Sequence, residues 1–157
     1  ILLKGRIDDN IQLVFAGRCF DQKYYDEMKT LIAGFGYENR IIFLGNIPSE
    51  ELPYLYSTCM VFAYPSTCES FGMTLVEAIA CGAPVLASKA EPMPEICANA
   101  AIYFDPMDPF AIADVICKTL NDQEAISSLI KNAIERAKTF SWENTVIRTL
   151  KIFESIS

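Results

Sequence analysis

The chain of 157 residues has 52% apolar residues, which is typical of one folded globular domain and excludes a disordered one. Its net charge of −7 argues against binding along a nucleic-acid backbone, because that backbone is recognised by a basic face. The sequence contains no histidine, so the commonest metal ligand and general base is absent.

The six cysteines predict reduced thiols rather than a disulfide framework or a zinc site. None of them is spaced as C-x-x-C, and no histidine accompanies them. Reduced thiols are typical of the cytoplasm, which is the location that we expect. No apolar run approaches the roughly 20 residues that a membrane-spanning helix needs.

The first half of the chain alternates short apolar runs with helical spacing of apolar residues. The predicted elements are the tail of a helix over 1–7, a strand over 11–16, a helix over 24–35, a strand over 40–44 and a short helix that begins at an N-cap on Ser49. Glu50 and Glu51 after this cap suit the positive end of a helix dipole.

The second half continues the alternation. The predicted elements are a strand over 60–63 buried on both faces, a helix over 73–81 and strands over 85–87 and 101–104. Two or three helices follow, the first beginning at an N-cap on Asp108 and the last capped by Ser141. This order predicts an α/β fold with one doubly wound, Rossmann-like parallel sheet. Ligands bind such sheets beyond the carboxyl ends of the strands, which directs attention to 17–18, 45–48 and 65–72.

The segment 65–78 contains the most informative pattern. Glu69 lies in the predicted loop, Gly72 or Ser70 begins the next helix, and Glu77 follows inside that helix. The free amides of a helix N-terminus hold anions, and a glycine lets a phosphate approach the backbone closely. Carboxylates on either side accept hydrogen bonds from hydroxyl groups. A nucleoside-diphosphate sugar carries both the phosphates and the hydroxyl groups that such a site would bind. The simpler interpretation is an ordinary helix start with a solvated Glu77.

Aromatic and thiol side chains near this segment have simpler interpretations. We expect Phe62, Tyr64 and Phe71 to pack in the core rather than to stack on a base, and Cys68 to be unreactive.

Several strings of the sequence resemble those of one enzyme family. They are Ile42–Gly45, Pro65–Ser66, Glu69–Gly72, Leu75–Ala78, Cys81–Val85 and Pro94–Ile96. Together they resemble the C-terminal, donor-binding half of retaining glycosyltransferases of family four, the glycosyl transferases group 1, which have the two-domain GT-B fold. The resemblance extends over nearly the whole chain.

The resemblance implies a role for each candidate residue. Glu69 would contact hydroxyls of the donor sugar near the reacting face, and Glu77 would bind the ribose. Backbone amides of Phe71, Gly72, Met73 and Thr74 would hold the diphosphate, and the backbone at Ile47 would meet the edge of the base. The resemblance further implies a nucleotide-sugar donor, no metal ion and no other cofactor.

The resemblance also bears on the whole protein. Residues 1–157 would form one nucleotide-sugar-binding domain, excised from a parent that adds an acceptor-binding N-terminal domain, a first strand and a basic loop. The parent would be a retaining enzyme acting on a glycan, lipid-linked or small acceptor, with peripheral membrane association, and the isolated domain would be inactive.

Two other function classes remain open. One is a non-catalytic nucleotide-sugar-binding module, either regulatory or a pseudo-enzyme, that keeps the donor pocket. The other is a receiver-like or flavodoxin-like signalling domain, which needs a phosphoacceptor aspartate at a strand end. Asp8, Asp9 and Asp105 are poorly placed for that role.

Overall fold

The computed structural model describes residues 2–156, so Ile1 and Ser157 of the predicted domain lie outside the described residues. The strands are β1 (Leu13–Ala16), β2 (Ile41–Gly45), β3 (Phe62–Tyr64), β4 (Val85–Ser88) and β5 (Ala101–Phe104). The helices are α1 (Gln22–Gly34), α2 (Leu52–Thr58), α3 (Met73–Ala80), α4 (Met93–Cys97), α5 (Pro109–Leu120), α6 (Gln123–Ala137) and α7 (Trp142–Ser155). The α/β class predicted from the sequence is confirmed.

The chain divides into two compact units, one up to Leu52 and one from Pro53 onward. In the first unit β1 and β2 pair in parallel. In the second unit β3, β4 and β5 pair in parallel in that order. Every described strand pair is therefore parallel, as predicted.

Aromatic stacking holds the first unit together. Phe15 on β1 stacks against Phe43 on β2 with ring centroids 5.1 Å apart, and Tyr25 on α1 meets Phe43 edge-on at 5.0 Å. The guanidinium of Arg40 lies 2.8 Å from the Asp9 carboxylate and also donates to the carbonyl of Ile11. No described residue of this unit, from 2 to 52, is buried.

The buried core lies in the second unit. All four residues of β4 are buried, and α3 packs Leu75 and Ile79 into the same interior with no exposed surface. Leu86, Phe104 and Leu129 form a further buried cluster that joins β4, β5 and α6. This core fixes β3, β4 and α3, the elements that carry the predicted site.

Two predicted helix positions in the first unit are wrong. The helix expected to begin at Ser49 begins at Leu52, because the amide of Glu51 bonds to the Pro48 carbonyl at 3.0 Å and closes a turn. Proline is favoured in the first turn of a helix, where an amide donor is not needed, and Pro53 occupies such a position.

The helix tail expected over 1–7 is absent from residues 2–7, which form turns. Gly5 there has φ of +70°, a left-handed conformation that ends any helical run.

The strand expected to be buried on both faces, β3, is half-buried along its length. It pairs only with β4 within residues 2–156, so one of its edges carries no described strand. The N-caps predicted near the end of the chain are confirmed: Asp108 accepts from the amide of Phe110, and Ser141 accepts from that of Asn144. None of the helices within residues 2–156 is both long and apolar enough to cross a membrane.

Candidate functional site

The loop between β3 and α3 forms the centre of the candidate site. Pro65 follows the last residue of β3, and the loop ends at Gly72, the N-cap of α3. Gly72 has φ of +84° and ψ of +50°, a left-handed conformation that glycine adopts without a steric penalty. Of the two N-caps considered from the sequence, Gly72 is therefore the correct one.

The N-terminus of α3 has no capping side chain. The Gly72 carbonyl accepts from the amides of Leu75 at 2.9 Å and Val76 at 3.3 Å, which begins the helix. The amides of Met73 and Thr74 precede this first bond and receive no side-chain acceptor. Unsatisfied amides and the positive end of the helix dipole are the features that attract an anion.

Glu69 is held in this loop by two hydroxyl groups. The Oη of Tyr64 donates to Glu69 Oε1 at 2.5 Å, and the Oγ of Ser66 donates to the same oxygen at 2.9 Å. These bonds, that of Tyr64 foremost, lower the pKa of the Glu69 carboxyl below its usual value. Glu69 is thus a carboxylate with one oxygen engaged, and its Oε2 accepts no hydrogen bond within residues 2–156.

Tyr64 remains a donor over the physiological pH range. Its burial raises the pKa of the phenol strongly, and the hydrogen bond to Glu69 raises it further. The Tyr64 hydroxyl therefore links strand β3 to the glutamate loop.

Glu77 lies on an exposed position of α3, because the helix buries Leu75, Ala78 and Ile79 instead. The Oη of Tyr56, on α2, lies 3.5 Å from Glu77 Oε2. Burial, and after it the nearby Glu77 carboxylate, raises the pKa of Tyr56 to about 12. Glu77 is thus accessible to a ligand and has a weak protein donor beside it.

A row of three aromatic rings lies next to both glutamates. Phe62 meets Tyr56 edge-on with centroids 5.3 Å apart, and its ring lies 6.0 Å from that of Tyr64. Tyr56 is buried, whereas Phe62 and Tyr64 are half-buried. The expectation that Phe62 and Tyr64 only pack in the core missed the role of the Tyr64 hydroxyl.

Phe71 differs from its expected place in the core. It is 42% exposed, and its ring meets that of Phe140 edge-on at 6.2 Å. The guanidinium of Arg136 lies over the Phe140 ring, 5.1 Å from its centroid. Phe71 therefore packs on the segment that follows α6 and not on the interior of the sheet.

The predicted site residues divide between the two units. The second unit contains Glu69, Phe71, Gly72, Met73, Thr74 and Glu77 on a single loop and helix. Ile47 follows β2 in the first unit and is half-buried, so its contact with a base stays a prediction. Residues 2–156 contain no group of three potential metal ligands of the histidine, cysteine, aspartate or glutamate type.

The sequence reasoning missed Tyr56 and Tyr64 as partners of the two glutamates. One signal was available for Tyr64, since a hydroxyl at the carboxyl end of a parallel strand lies at the edge where ligands bind. No comparable signal existed for Tyr56, whose contact with Glu77 depends on how α2 packs against α3.

Comparison with known proteins identifies the family. Residues 2–136 match the model of the family described as glycosyl transferases group 1. O-antigen chain mannosyltransferase B of Escherichia coli is 38% identical over 117 residues, which cover 74% of this chain and 31% of that protein. D-inositol 3-phosphate glycosyltransferase of Corynebacterium glutamicum (strain R) is 33% identical over 130 residues, covering 82% of this chain and 31% of the relative.

Solved structures share the fold. Anabaena Alr3699/HepE in complex with UDP is similar with a TM-score of 0.81 and 28% identity, over 96% of this chain and 42% of that one. Sucrose-phosphate synthase from Thermosynechococcus elongatus is similar with a TM-score of 0.80 and 28% identity, over 92% and 38% of the two chains. This chain thus spans about a third of the length of the two curated relatives. These likenesses confirm the predicted Rossmann-like C-terminal half of a GT-B fold, and the chain belongs to the glycosyl transferases group 1.

Proposed function

We propose that the protein that carries this chain transfers a sugar from a nucleoside-diphosphate sugar to a glycan, lipid-linked or small acceptor, with retention at the anomeric carbon. One observation carries the proposal: a carboxylate anchored by two hydroxyls lies in the loop that leads to an uncapped helix N-terminus. Family membership supports it, as do the structures of Alr3699/HepE with UDP and with UDP-glucose.

Each part of the site has a role in this reaction. Amides from Phe71 to Thr74 hold the diphosphate, and they stabilise the negative charge that it gains as its bond to the anomeric carbon breaks. Glu69 accepts a hydrogen bond from a hydroxyl of the donor sugar, Glu77 binds the ribose, and the backbone at Ile47 meets the base. The acceptor is bound by a further domain of the parent protein.

We also propose that the reaction needs no metal ion. The N-terminus of α3 carries positive partial charge, which stabilises the negative charge of the diphosphate. In other transferases a metal ion has this role. The six cysteines are free thiols, which supports a cytoplasmic location for the parent protein. We propose in addition that the parent protein associates peripherally with the membrane.

The test is a calorimetric titration of the full-length protein with UDP, GDP, ADP and their sugar conjugates, in buffer that contains a chelator. We expect one base to be selected, and binding about 10- to 100-fold weaker in Glu77→Ala, because charge-assisted hydrogen bonds to hydroxyls are lost. Glu154→Ala is the matched control, since Glu154 is an exposed glutamate on another helix, α7.

Transfer of the sugar is measured on the same preparations by following release of the nucleoside diphosphate. Absence of binding in the full-length protein, or equal binding by Glu77→Ala and wild type, contradicts the proposed site. Selective binding with no transfer to any acceptor supports the alternative of a non-catalytic module.

A further inference from the structure

The two hydroxyls that contact Glu69 engage the same carboxylate oxygen. Tyr64 and Ser66 both donate to Oε1, whereas Oε2 receives no hydrogen bond within residues 2–156. The terminal torsion of a glutamate is broad, so an unrestrained carboxylate presents either oxygen in many orientations. Two donors on one oxygen remove that freedom and leave the other oxygen as the available acceptor.

We propose that Tyr64 is a positioning residue: together with Ser66 it holds Oε1 of Glu69, so that Oε2 accepts the hydrogen bond from a hydroxyl of the donor sugar. This inference rests on the proposed function, in which Glu69 contacts the donor sugar. It assigns a role in the proposed transfer to a side chain that does not itself touch the substrate.

Tyr64 is well placed for this role because its backbone is fixed. It is the last residue of β3, paired with Ala87 of the buried strand β4. Its ring lies beside that of Phe62, with the two centroids 6.0 Å apart. Ser66 lies in the loop itself, so Tyr64 is the donor of the two that connects Glu69 to the paired strand β3.

The charge states fit the arrangement. Burial and the neighbouring carboxylate keep the Tyr64 phenol protonated, and the two donated hydrogen bonds favour the ionised form of Glu69. The Tyr64 phenol therefore stays protonated and Glu69 stays ionised, as the hydrogen bond between them requires.

The first test is Tyr64→Phe in the full-length protein, with steady-state kinetics on the donor. We expect kcat to fall by about 10- to 100-fold while KM for the donor changes less than about threefold, because the amides that bind the diphosphate are untouched. A loss confined to packing or folding would change the amount of active enzyme, measured by active-site titration, and not kcat per active site.

Tyr103→Phe is the matched control. Tyr103 lies on β5, and its hydroxyl donates to the Ala98 carbonyl at 2.7 Å, so the variant also loses one strong hydrogen bond at a strand. It has no contact with Glu69, and we expect wild-type kcat. An equal fall of kcat in both variants overturns the inference.

A second pair of variants decides the matter if Tyr64→Phe does not fold. Ser66→Ala removes the other donor to Oε1, and Ser66→Thr keeps a hydroxyl there. A fall of kcat in Ser66→Ala that Ser66→Thr restores supports the anchored oxygen, and equal kcat in the two variants overturns it.

Failure of the inference is distinguishable from failure of the proposed function. If Glu69→Gln retains wild-type transfer, Glu69 is not a site residue and the proposed function is wrong at this point. If Glu69→Gln is inactive while Tyr64→Phe keeps wild-type kcat and KM, the site stands and only the positioning role is rejected.

Discussion

Glu69 and Glu77 carry the same functional group in different surroundings. Glu69 is half-buried and restrained by Tyr64 and Ser66, whereas Glu77 is exposed and has one donor, Tyr56, at 3.5 Å. A restrained carboxylate is suited to a reacting centre, where small displacements are costly. An exposed carboxylate adapts to a ligand hydroxyl, which agrees with the ribose contact that we propose for Glu77.

Glu69→Gln tests this difference. The amide retains an oxygen that Tyr64 and Ser66 can contact, but it lacks the negative charge that assists the hydrogen bond to the sugar. We expect transfer to fall by about 100-fold or more, with donor binding and melting temperature close to wild type. Release of nucleoside diphosphate is the measurement, Glu154→Gln is the control, and activity within threefold of wild type contradicts the prediction.

Prediction from sequence was uneven at this scale. The spacing of Glu69, Gly72 and Glu77 indicated a loop, a helix start and a helix position, and all three were correct. The burial of Glu77 was not readable, because it depends on which face of α3 meets the sheet. The hydroxyl groups of Tyr56 and Tyr64 reach the glutamates through tertiary contacts. The sequence did not predict these contacts, because a tyrosine next to an apolar strand or helix is equally well explained by packing in the core.

At the scale of elements, the junction of β3, its loop and α3 depends on one backbone conformation. Gly72 turns the chain into the helix with φ of +84°. A side chain at this residue would meet only Leu75 Cδ1, at 3.5 Å, which is an ordinary contact. The requirement for glycine is thus conformational and not a matter of space.

Gly72→Ala should lower the free energy of unfolding by about 1–2 kcal/mol, the cost of a left-handed conformation for an L-residue. It should also weaken nucleotide binding, because relaxing the strain displaces the amides of Met73 and Thr74. Urea unfolding and calorimetric titration give the two quantities.

Gly82→Ala provides the matched control at the opposite end of α3. Gly82 has φ of +73°, and an added Cβ would lie 3.6 Å from Ile134 Cδ1, so the strain is comparable. We expect a similar loss of stability with wild-type nucleotide binding. Equal binding by the two variants would mean that the α3 amides do not hold the ligand.

The elements themselves were largely readable from the sequence. Periodicity located all five described strands, α1 and α3 to within a few residues, and the caps at Asp108 and Ser141 located the starts of α5 and α7. The bounds of α6 were not predicted, and α4 was missed. The start of α2 was misplaced because Ser49 satisfied the rules for a cap while the turn closed by Pro48 and Glu51 competed with it. A cap at Ser49 and a turn from Pro48 to Glu51 both provide acceptors for the same backbone amides, and residue propensities do not decide between them.

At the scale of the whole molecule, burial is unequal along the chain. Every buried residue among 2–156 belongs to the second unit, and β4 is buried throughout. The apolar residues of β1 remain exposed, with Leu13 at 50%. The stability of the chain therefore depends chiefly on the packing of α3, β4, β5 and α6.

Leu86→Ala should lower the free energy of unfolding by about 2–5 kcal/mol, because Leu86 is fully buried between Phe104 and Leu129 and its removal leaves a cavity. Leu31→Ala, on α1 at 61% exposure, should change it by no more than about 0.5 kcal/mol. Urea unfolding of the two variants measures both, and equal losses would contradict this account of the core.

The parallel α/β architecture was predictable at this scale, whereas the partner of each strand was not. Continuous apolar runs identified β3, β4 and β5 as strands, and helices between them required parallel pairing. Which strands share a ladder is decided by contacts distant in sequence, so the order β3, β4, β5 in the second unit was not predicted.

The aromatic row of Tyr56, Phe62 and Tyr64 has a consequence for how this site changes over evolutionary time. Each glutamate relies on a different tyrosine, yet Phe62 touches both rings. A substitution at Phe62 would therefore reach both carboxylates at once, although it contacts neither of them in the hydrogen-bond network. Under the proposed function, a substitution at Phe62 that altered the contact of Glu69 with the sugar would also alter the contact of Glu77 with the ribose, so the two contacts would not evolve independently.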